Sequence, residues 1–320
     1  MDRRQLKLAL VYQLGPAKAI NYYYAQGQKI SFRLECDPST LMEELQLQGI
    51  WWVTDEDEEY PAALRELHQP PLLLFGQGDK QVLKKPMISV IGSRKGTEYG
   101  RQVAVQVSNQ LAARGYVVVS GLAYGIDSFA HQGALRSGLT IAVLGNGLGR
   151  IYPAANRSLA EKIINRGCLL SEFWPGTEPK PWHFPMRNRI IAGLGQKLIV
   201  VEAAENSGTL ITVDYALELG REVWAVPGPI TSIYSKGTNN LIKQGAMPLC
   251  DLEDLDLPPV KENTADSELP TRILSLINRG FTDAVALARE LNLNLDIVMA
   301  ELTRMELRGQ VIRFGNNFWA

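Results

Sequence analysis

Lys197-Leu198-Ile199-Val200-Val201-Glu202 decides the fold. From Leu198 to Val201 the run is apolar without alternation, so it reads as a central strand covered on both faces, the condition of strands in a parallel sheet layered between helices. Runs of the same kind recur at Met87 to Ile91, Tyr116 to Ser120, Thr140 to Leu144, Cys168 to Glu172 and Glu222 to Val226. Between them, Tyr99 to Arg114, Asn156 to Arg166 and Thr209 to Leu219 carry apolar residues at helical spacing. Six such repeats predict an α/β fold built on a doubly wound, mostly parallel sheet with helices on both faces.

In such a sheet, ligands sit outside the carboxyl ends of the strands. Glycine and hydroxyl residues gather there. The first strand leads into Gly92-Ser93-Arg94, and the second into Ser120-Gly121 with Gly125-Ile126-Asp127. The third leads into Gly145-Asn146-Gly147-Leu148-Gly149, the fifth into Ser207-Gly208-Thr209 and the sixth into Pro227-Gly228-Pro229. Glycine lets backbone amides approach an oxyanion, and Ser or Thr adds a donor. The fourth connection holds Trp182-His183-Phe184-Pro185-Met186-Arg187-Asn188-Arg189, which sets aromatic faces and two guanidinium groups at the opening turn of a helix. Arginines and helix N-termini attract phosphates, and aromatic rings accept stacked bases. The plainer alternative has Phe184 stapling its helix and the arginines in surface ion pairs.

Further on, Lys236 to Ala246 adds Lys236 and Lys243 beside glycines and amides. These loops together predict a polar, phosphate-friendly rim longer than one mononucleotide needs. No G-x-G-x-x-G fingerprint or P-loop accompanies it, so no cofactor is expected. The three histidines, His68, His131 and His183, are scattered outside any zinc motif, and no metal site is expected either. His131 reads as a hydrogen-bonded core or helix-end residue.

With 320 residues, two or three units around one sizeable core are expected. No apolar run is long enough to span a bilayer, and Met1-Asp2-Arg3-Arg4 does not open a signal peptide, which predicts a cytoplasmic protein without membrane contact. Cys36, Cys168 and Cys250 are scattered and form no C-x-x-C pair, so neither a disulfide framework nor a zinc module is indicated. The net charge of −1 conceals an uneven distribution. Residues 85–250 carry 17 Lys plus Arg against 10 Asp plus Glu, a surplus of +7 that suits an anionic partner.

Residues 1–70 read as a mainly helical module, a degenerate helix-hairpin-helix or a SAM-like bundle that packs on its neighbour, and its acidic run Asp55 to Glu59 discourages phosphate contact. Leu72 to Phe75 is expected as a strand at the edge of the next domain, residues 71–250. Residues 251–268, acidic and then Pro-containing, read as a linker. In residues 269–320, helices at Arg272 to Asn278, Thr282 to Leu291 and Asp296 to Arg308, with a hairpin around Gly315-Asn316, predict a winged-helix-like domain. Residues 261–320 together carry 7 Lys plus Arg against 8 Asp plus Glu, a net charge of −1 that speaks against strong duplex binding.

These loops, in this order, resemble the DNA-processing protein A family, also called Smf. The resemblance rests on Gly92-Ser93-Arg94, Ser120-Gly121 with Gly125-Ile126-Asp127 and Ala130-His131, Ile151-Tyr152-Pro153 with Asn156, and Ser171-Glu172. It extends through Phe184-Pro185 with Arg187-Asn188-Arg189, Glu202 with Ser207-Gly208-Thr209, Ala225-Val226-Pro227-Gly228, and Gly237 with Leu241-Ile242 and Gly245-Ala246. It covers residues 87–248 strongly. The family implies an extended Rossmann-like domain in a bacterial cytoplasmic protein that binds and protects single-stranded DNA, loads the RecA recombinase on it during natural transformation, and forms a homodimer. Carried over, the DNA-binding residues are Ser93, Arg94, Phe184, Arg187, Asn188 and Arg189, with Lys243 as a further backbone contact and Lys180 at looser spacing. Gly92 and the Ser207, Gly208, Thr209 loop complete the expected site. Many members carry a basic residue where this chain has Ala154, a departure that bears on one phosphate contact.

The residues themselves thus favour a non-catalytic single-strand binder. The rival is a nucleotide-processing enzyme of the phosphoribohydrolase type, whose family carries P-G-G-x-G-T and a catalytic Glu. Here the equivalent loop is Glu205-Asn206-Ser207-Gly208-Thr209, without the double glycine, and Glu202 is the carboxylate nearest in sequence, positioned to cap the following helix. A nucleotide-sensing regulator acting through the C-terminal domain is a third reading.

Overall fold

The computed structural model describes residues 2–26, 35–258, 260, 264–291, 293–307, 310–315 and 317–319. Three helices, α1 (Arg3–Leu14), α2 (Pro16–Gln26) and α3 (Pro38–Leu47), precede strands β1 (Trp51–Thr54), β2 (Leu73–Gly78) and β3 (Met87–Ile91). Helix and strand then alternate: α4 (Glu98–Ala113), β4 (Val117–Ser120), α5 (Ile126–Ser137), β5 (Thr140–Val143), α6 (Arg157–Asn165) and β6 (Gly167–Ser171). The series continues with α7 (His183–Leu194), β7 (Lys197–Val200), α8 (Thr209–Glu218), β8 (Glu222–Ala225), α9 (Lys236–Lys243) and β9 (Met247–Pro248). Helices α4, α6 and α8 match the stretches expected from apolar spacing to within one residue at each end.

Nine strands form one sheet in the order β1-β2-β6-β5-β4-β3-β7-β8-β9. From β6 to β9 in that order all neighbours are parallel, whereas β2 runs antiparallel to β6 and β1 antiparallel to β2. The chain winds one way from β3 through β4, β5 and β6, then the other way through β7, β8 and β9. The reversal falls between β3 and β7, where Ser89, Val90 and Ile91 pair with Leu198, Ile199 and Val200. All six of these residues are buried.

The strand expected at the sheet's edge, Leu72 to Phe75, becomes β2, but β1 lies outside it. Sequence reading missed β1 inside a mainly helical front end because four residues beside an acidic run show no period. A close fit holds it instead. The Trp51 ring lies over Gly76, where an added Cβ would stand 2.1 Å from the ring, and its indole N–H donates to Gly78 O at 2.8 Å. The acidic run is largely neutralised locally: buried Lys7 donates to Asp55 and Glu56, and Lys80 to Glu59. The front helices share a core with the sheet, Leu8, Leu10, Val11 and Ile20 packing with Leu73, Phe75, Leu144 and Leu169.

The chain divides into two compact units, Met1–Pro259 and Val260–Ala320. The second contains α10 (Thr264–Asn278), α11 (Ala284–Leu291), α12 (Leu295–Leu307) and a hairpin of β10 (Ile312–Phe314) and β11 (Asn317–Trp319). Its core is Ile273, Leu276, Leu287, Val298, Leu302, Met305 and Phe318. Helix α10 starts at Thr264, within the stretch read as linker, and continues through Pro270. Of the expected linker and hairpin, Pro259, residues 261–263 and Asn316 lie outside the described residues, as does the expected helix end at Arg308.

His131 sits fully buried on α5, and the Thr140 hydroxyl beside it donates to Val118 O. That hydroxyl therefore accepts from imidazole Nδ1–H at 2.7 Å, which leaves Nε2 buried with no partner among the described residues. A second ring proton would have nowhere to go, and burial, with Arg187 adding, depresses the pKa to about 3. The folded state thus binds fewer protons here than the unfolded chain. Its stability is intact above about pH 6.5 and falls below it, by about 1.4 kcal/mol per pH unit from this group. Urea midpoints at pH 7 and pH 5 should show that loss, and His131→Gln should show a shallower one.

Candidate nucleic-acid interface

Where the winding reverses, the loops after β3 and β7 part. A crevice of about 440 Å³ opens there, lined among others by Gly92, Ser93, Arg94, Phe184, Asn188 and Thr209. Ser207, Gly208, Lys95, Asp127, Arg187 and Tyr234 also line it. Of the expected loops, those after β3, β4 and β7 and the start of α7 meet here, whereas Gly145 to Gly149, Pro227-Gly228-Pro229 and Lys236 to Ala246 are not among the lining residues.

Glu202 holds the first of them. Its backbone carbonyl accepts from Ser93 N at 2.7 Å, and its carboxylate accepts from Thr97 N and Oγ1 at 2.8 and 2.6 Å. Thr97 is the N-cap of α4, so this carboxylate braces the preceding helix's start and not the following helix as expected. Buried and fully engaged, Glu202 is not among the residues lining the crevice. The braced loop leaves Arg94 and Lys95 exposed at the mouth, neither with an ion-pair partner among the described residues.

Helix α7 supplies the opposite wall. Phe184, Arg187, Asn188 and Ile191 recur at helical spacing and face the crevice. The half-buried Phe184 ring lies against Gly145, where an added Cβ would be 2.7 Å from Cδ1, and Arg94 stands over the ring at 5.4 Å. Ser207 Oγ accepts from Thr209 N at 3.2 Å, ordering the turn into α8.

Four of the expected residues are buried in the crevice wall or lie outside the crevice. Arg187 lines the wall but is buried: its Nη1 donates to Gly121 O at 2.7 Å and to Val143 O, and its Nε to Asn188 Oδ1 at 3.2 Å. Burial pulls this guanidinium down to about 10, against the attraction of Asp127, so it stays charged at neutral pH as a strut between the ends of β4 and β5. Asp127, whose carboxyl burial pushes up against the pull of Arg187, accepts from Gly121 N at 3.2 Å. Arg189, two residues on, turns to the other side of α7, where its buried guanidinium pairs with buried Glu172. Lys180 is exposed over the Trp182 ring, 5.6 Å from its centroid, and does not line the crevice. Lys243 ends α9, whose first turn bonds the loop after β7 through Gly237 N and Ala203 O. The helix carries Lys243 about 10 Å from that turn, towards β9, because α9 runs back against the strands. Among the lining residues not singled out from sequence, Lys95 and Tyr234 sit beside recognised motifs. Among the described residues no His, Cys, Asp and Glu cluster could hold a metal, and no helix is long and apolar enough to cross a membrane.

A doubly wound sheet with an open crevice at its switch point makes this a Rossmann-like α/β protein. The chain belongs to the DNA recombination-mediator protein A family, whose profile matches residues 51–256. It is 44% identical over 210 residues to DNA processing protein DprA of Bacillus subtilis, spanning 65% of this chain and 71% of that one. Protein Smf of Escherichia coli is 38% identical over 274 residues, 80% of this chain and 73% of that one. The solved DprA of Streptococcus pneumoniae superposes with a TM-score of 0.66 at 35% identity, covering 81% of this chain and 97% of that one. DNA processing protein A from Helicobacter pylori, solved for its single-stranded DNA binding mode, gives 0.59 at 30% identity over 64% and 93%.

The two arginines of the crevice should separate by stability. Arg187→Met strips two carbonyls of a donor and leaves Asp127 without its cation, a loss of about 3 kcal/mol. Arg94→Ala removes an exposed group and should stay within about 0.5 kcal/mol of the parent. Urea denaturation of both variants checks this.

Proposed function

We propose that this chain is a non-catalytic single-stranded DNA-binding protein that protects incoming DNA and loads the RecA recombinase on it, as a cytoplasmic homodimer, during natural transformation. The observation that carries the reading is the convergence of Arg94, Phe184, Asn188 and the Ser207 to Thr209 turn on one crevice at the switch point. Gly92 and Ser93 bring backbone close to the strand, Arg94 and Lys95 meet its phosphates, and Phe184 offers a ring to a base. The single-stranded DNA binding mode of the Helicobacter pylori relative supports the same partner here. Engagement of the Glu202 carboxylate with Thr97 argues against the phosphoribohydrolase reading, which needs a carboxylate facing the ligand. We read Val260–Ala320 as a winged-helix-like domain.

Stacking contributes ~1–3 kcal/mol per base without regard to sequence, and phosphate contacts give single-strand binding a salt slope of about 0.7 per contact. Anisotropy titrations should show this chain binding an oligothymidylate well ahead of a duplex of equal length. Arg94→Ala should weaken binding evenly across sequences and reduce the slope by about 0.7. Unchanged affinity and slope would mean that the strand lies elsewhere.

A further inference from the structure

Beside the crevice, on the far side of Arg94, lies a smaller hollow lined by Tyr124, Tyr152, Pro153, Phe184, Gly121 and Gly145. Tyr124 belongs to the loop after β4 and Tyr152 to the loop after β5, and the two side chains are 51% and 47% exposed. Large exposed aromatic rings at a polar rim call for an explanation, and here the loops that carry them are tied together. Asn156 Nδ2 donates to Leu122 O at 2.8 Å and to Ser128 Oγ at 2.9 Å, which ties the segment following Tyr152 to the loop that carries Tyr124. Leu122 sits at φ 55°, a backbone setting unfavourable for a non-glycine residue, and its carbonyl is the one Asn156 grips. Beneath, Arg187 Nη1 fixes Gly121 O. The Tyr152 ring stands 5.6 Å from Phe184 at an interplanar angle of 42°, so crevice and hollow share one ring as their common wall.

We infer that Tyr124 and Tyr152 form a second base-stacking station of the interface, taking bases of the same unpaired strand whose phosphates lie at Arg94 and Lys95. This rests on the single-strand reading proposed above and extends it along the carboxyl rim from the ends of β3 and β7 to those of β4 and β5. The hollow itself offers only about 30 Å³, against about 440 Å³ in the crevice, so it encloses no base or metabolite. The bases lie on the exposed ring faces at its lip. Arg94 covers part of Phe184. The tyrosine faces are open already, which makes them the first aromatic surfaces a strand meets from that side.

The test compares an oligothymidylate with an abasic strand of the same length and charge, using the full chain. Tyr124→Leu and Tyr152→Leu should each weaken binding of the base-bearing strand about tenfold, leave the salt slope unchanged and leave the abasic strand's affinity as it was. Tyr152→Phe, which keeps the ring and drops the hydroxyl, should bind like the parent. Equal affinity of the leucine variants for the oligothymidylate overturns the inference, as does an equal loss on the abasic strand. A parent chain that binds neither strand overturns the single-strand reading as well, so the two failures are told apart by the parent alone.

Discussion

A sheet wound in both directions from one strand must part its loops where the winding reverses, and here that happens between β3 and β7. The crevice is therefore a consequence of topology before any side chain is chosen. Its shape depends on bracing. Glu202 clamps the loop after β3 to the start of α4, and Arg187 bridges the ends of β4 and β5 from α7. Both are charged groups taken out of water, and each is matched to polar partners that would otherwise be orphaned. A rim made of loops becomes rigid enough to hold aromatic rings at fixed spacing.

The sheet was legible because buried parallel strands are near-continuous apolar runs, and Leu198 to Val201 could be little else. Strand β1 was not, since its place depends on the Trp51 ring fitting over Gly76, a contact across 25 residues that leaves no local period. The site was legible as a set of loops and illegible at the level of individual cations. Arg187 and Arg189 look equivalent in the sequence, yet two residues on a helix differ by about 200° of rotation, so one faces the crevice wall and the other faces Glu172. Lys243 lies outside the crevice for a related reason: a helix that returns along a parallel sheet carries its last turn away from the rim its first turn touches.

Charge surplus says less about a binding site than the whereabouts of unpaired charge. Residues 85–250 hold an excess of seven cations, but Arg101, Arg114, Arg150, Arg189, Lys197 and Arg221 are each matched with a carboxylate. Most of these pairs are exposed and contribute little to stability. Their effect is to neutralise those six cations locally. Among the described residues, what stays without an ion-pair partner at the crevice mouth is the pair Arg94 and Lys95, while the buried Arg187 behind them faces Asp127.

An interface with so few free cations cannot hold a polyanion by charge alone at physiological ionic strength, where exposed charges are screened beyond about 8 Å. On the proposed reading the deficit is made up by groups that salt does not screen: loop amides at Gly92 and Ser207 to Thr209, and ring faces beginning with Phe184. On that reading a duplex, which hides its bases and offers mainly phosphates, is held less well. An unpaired strand offers both. Selectivity for the unpaired strand then needs no element that reads sequence; it follows from a rim rich in rings and amides and sparing in charge.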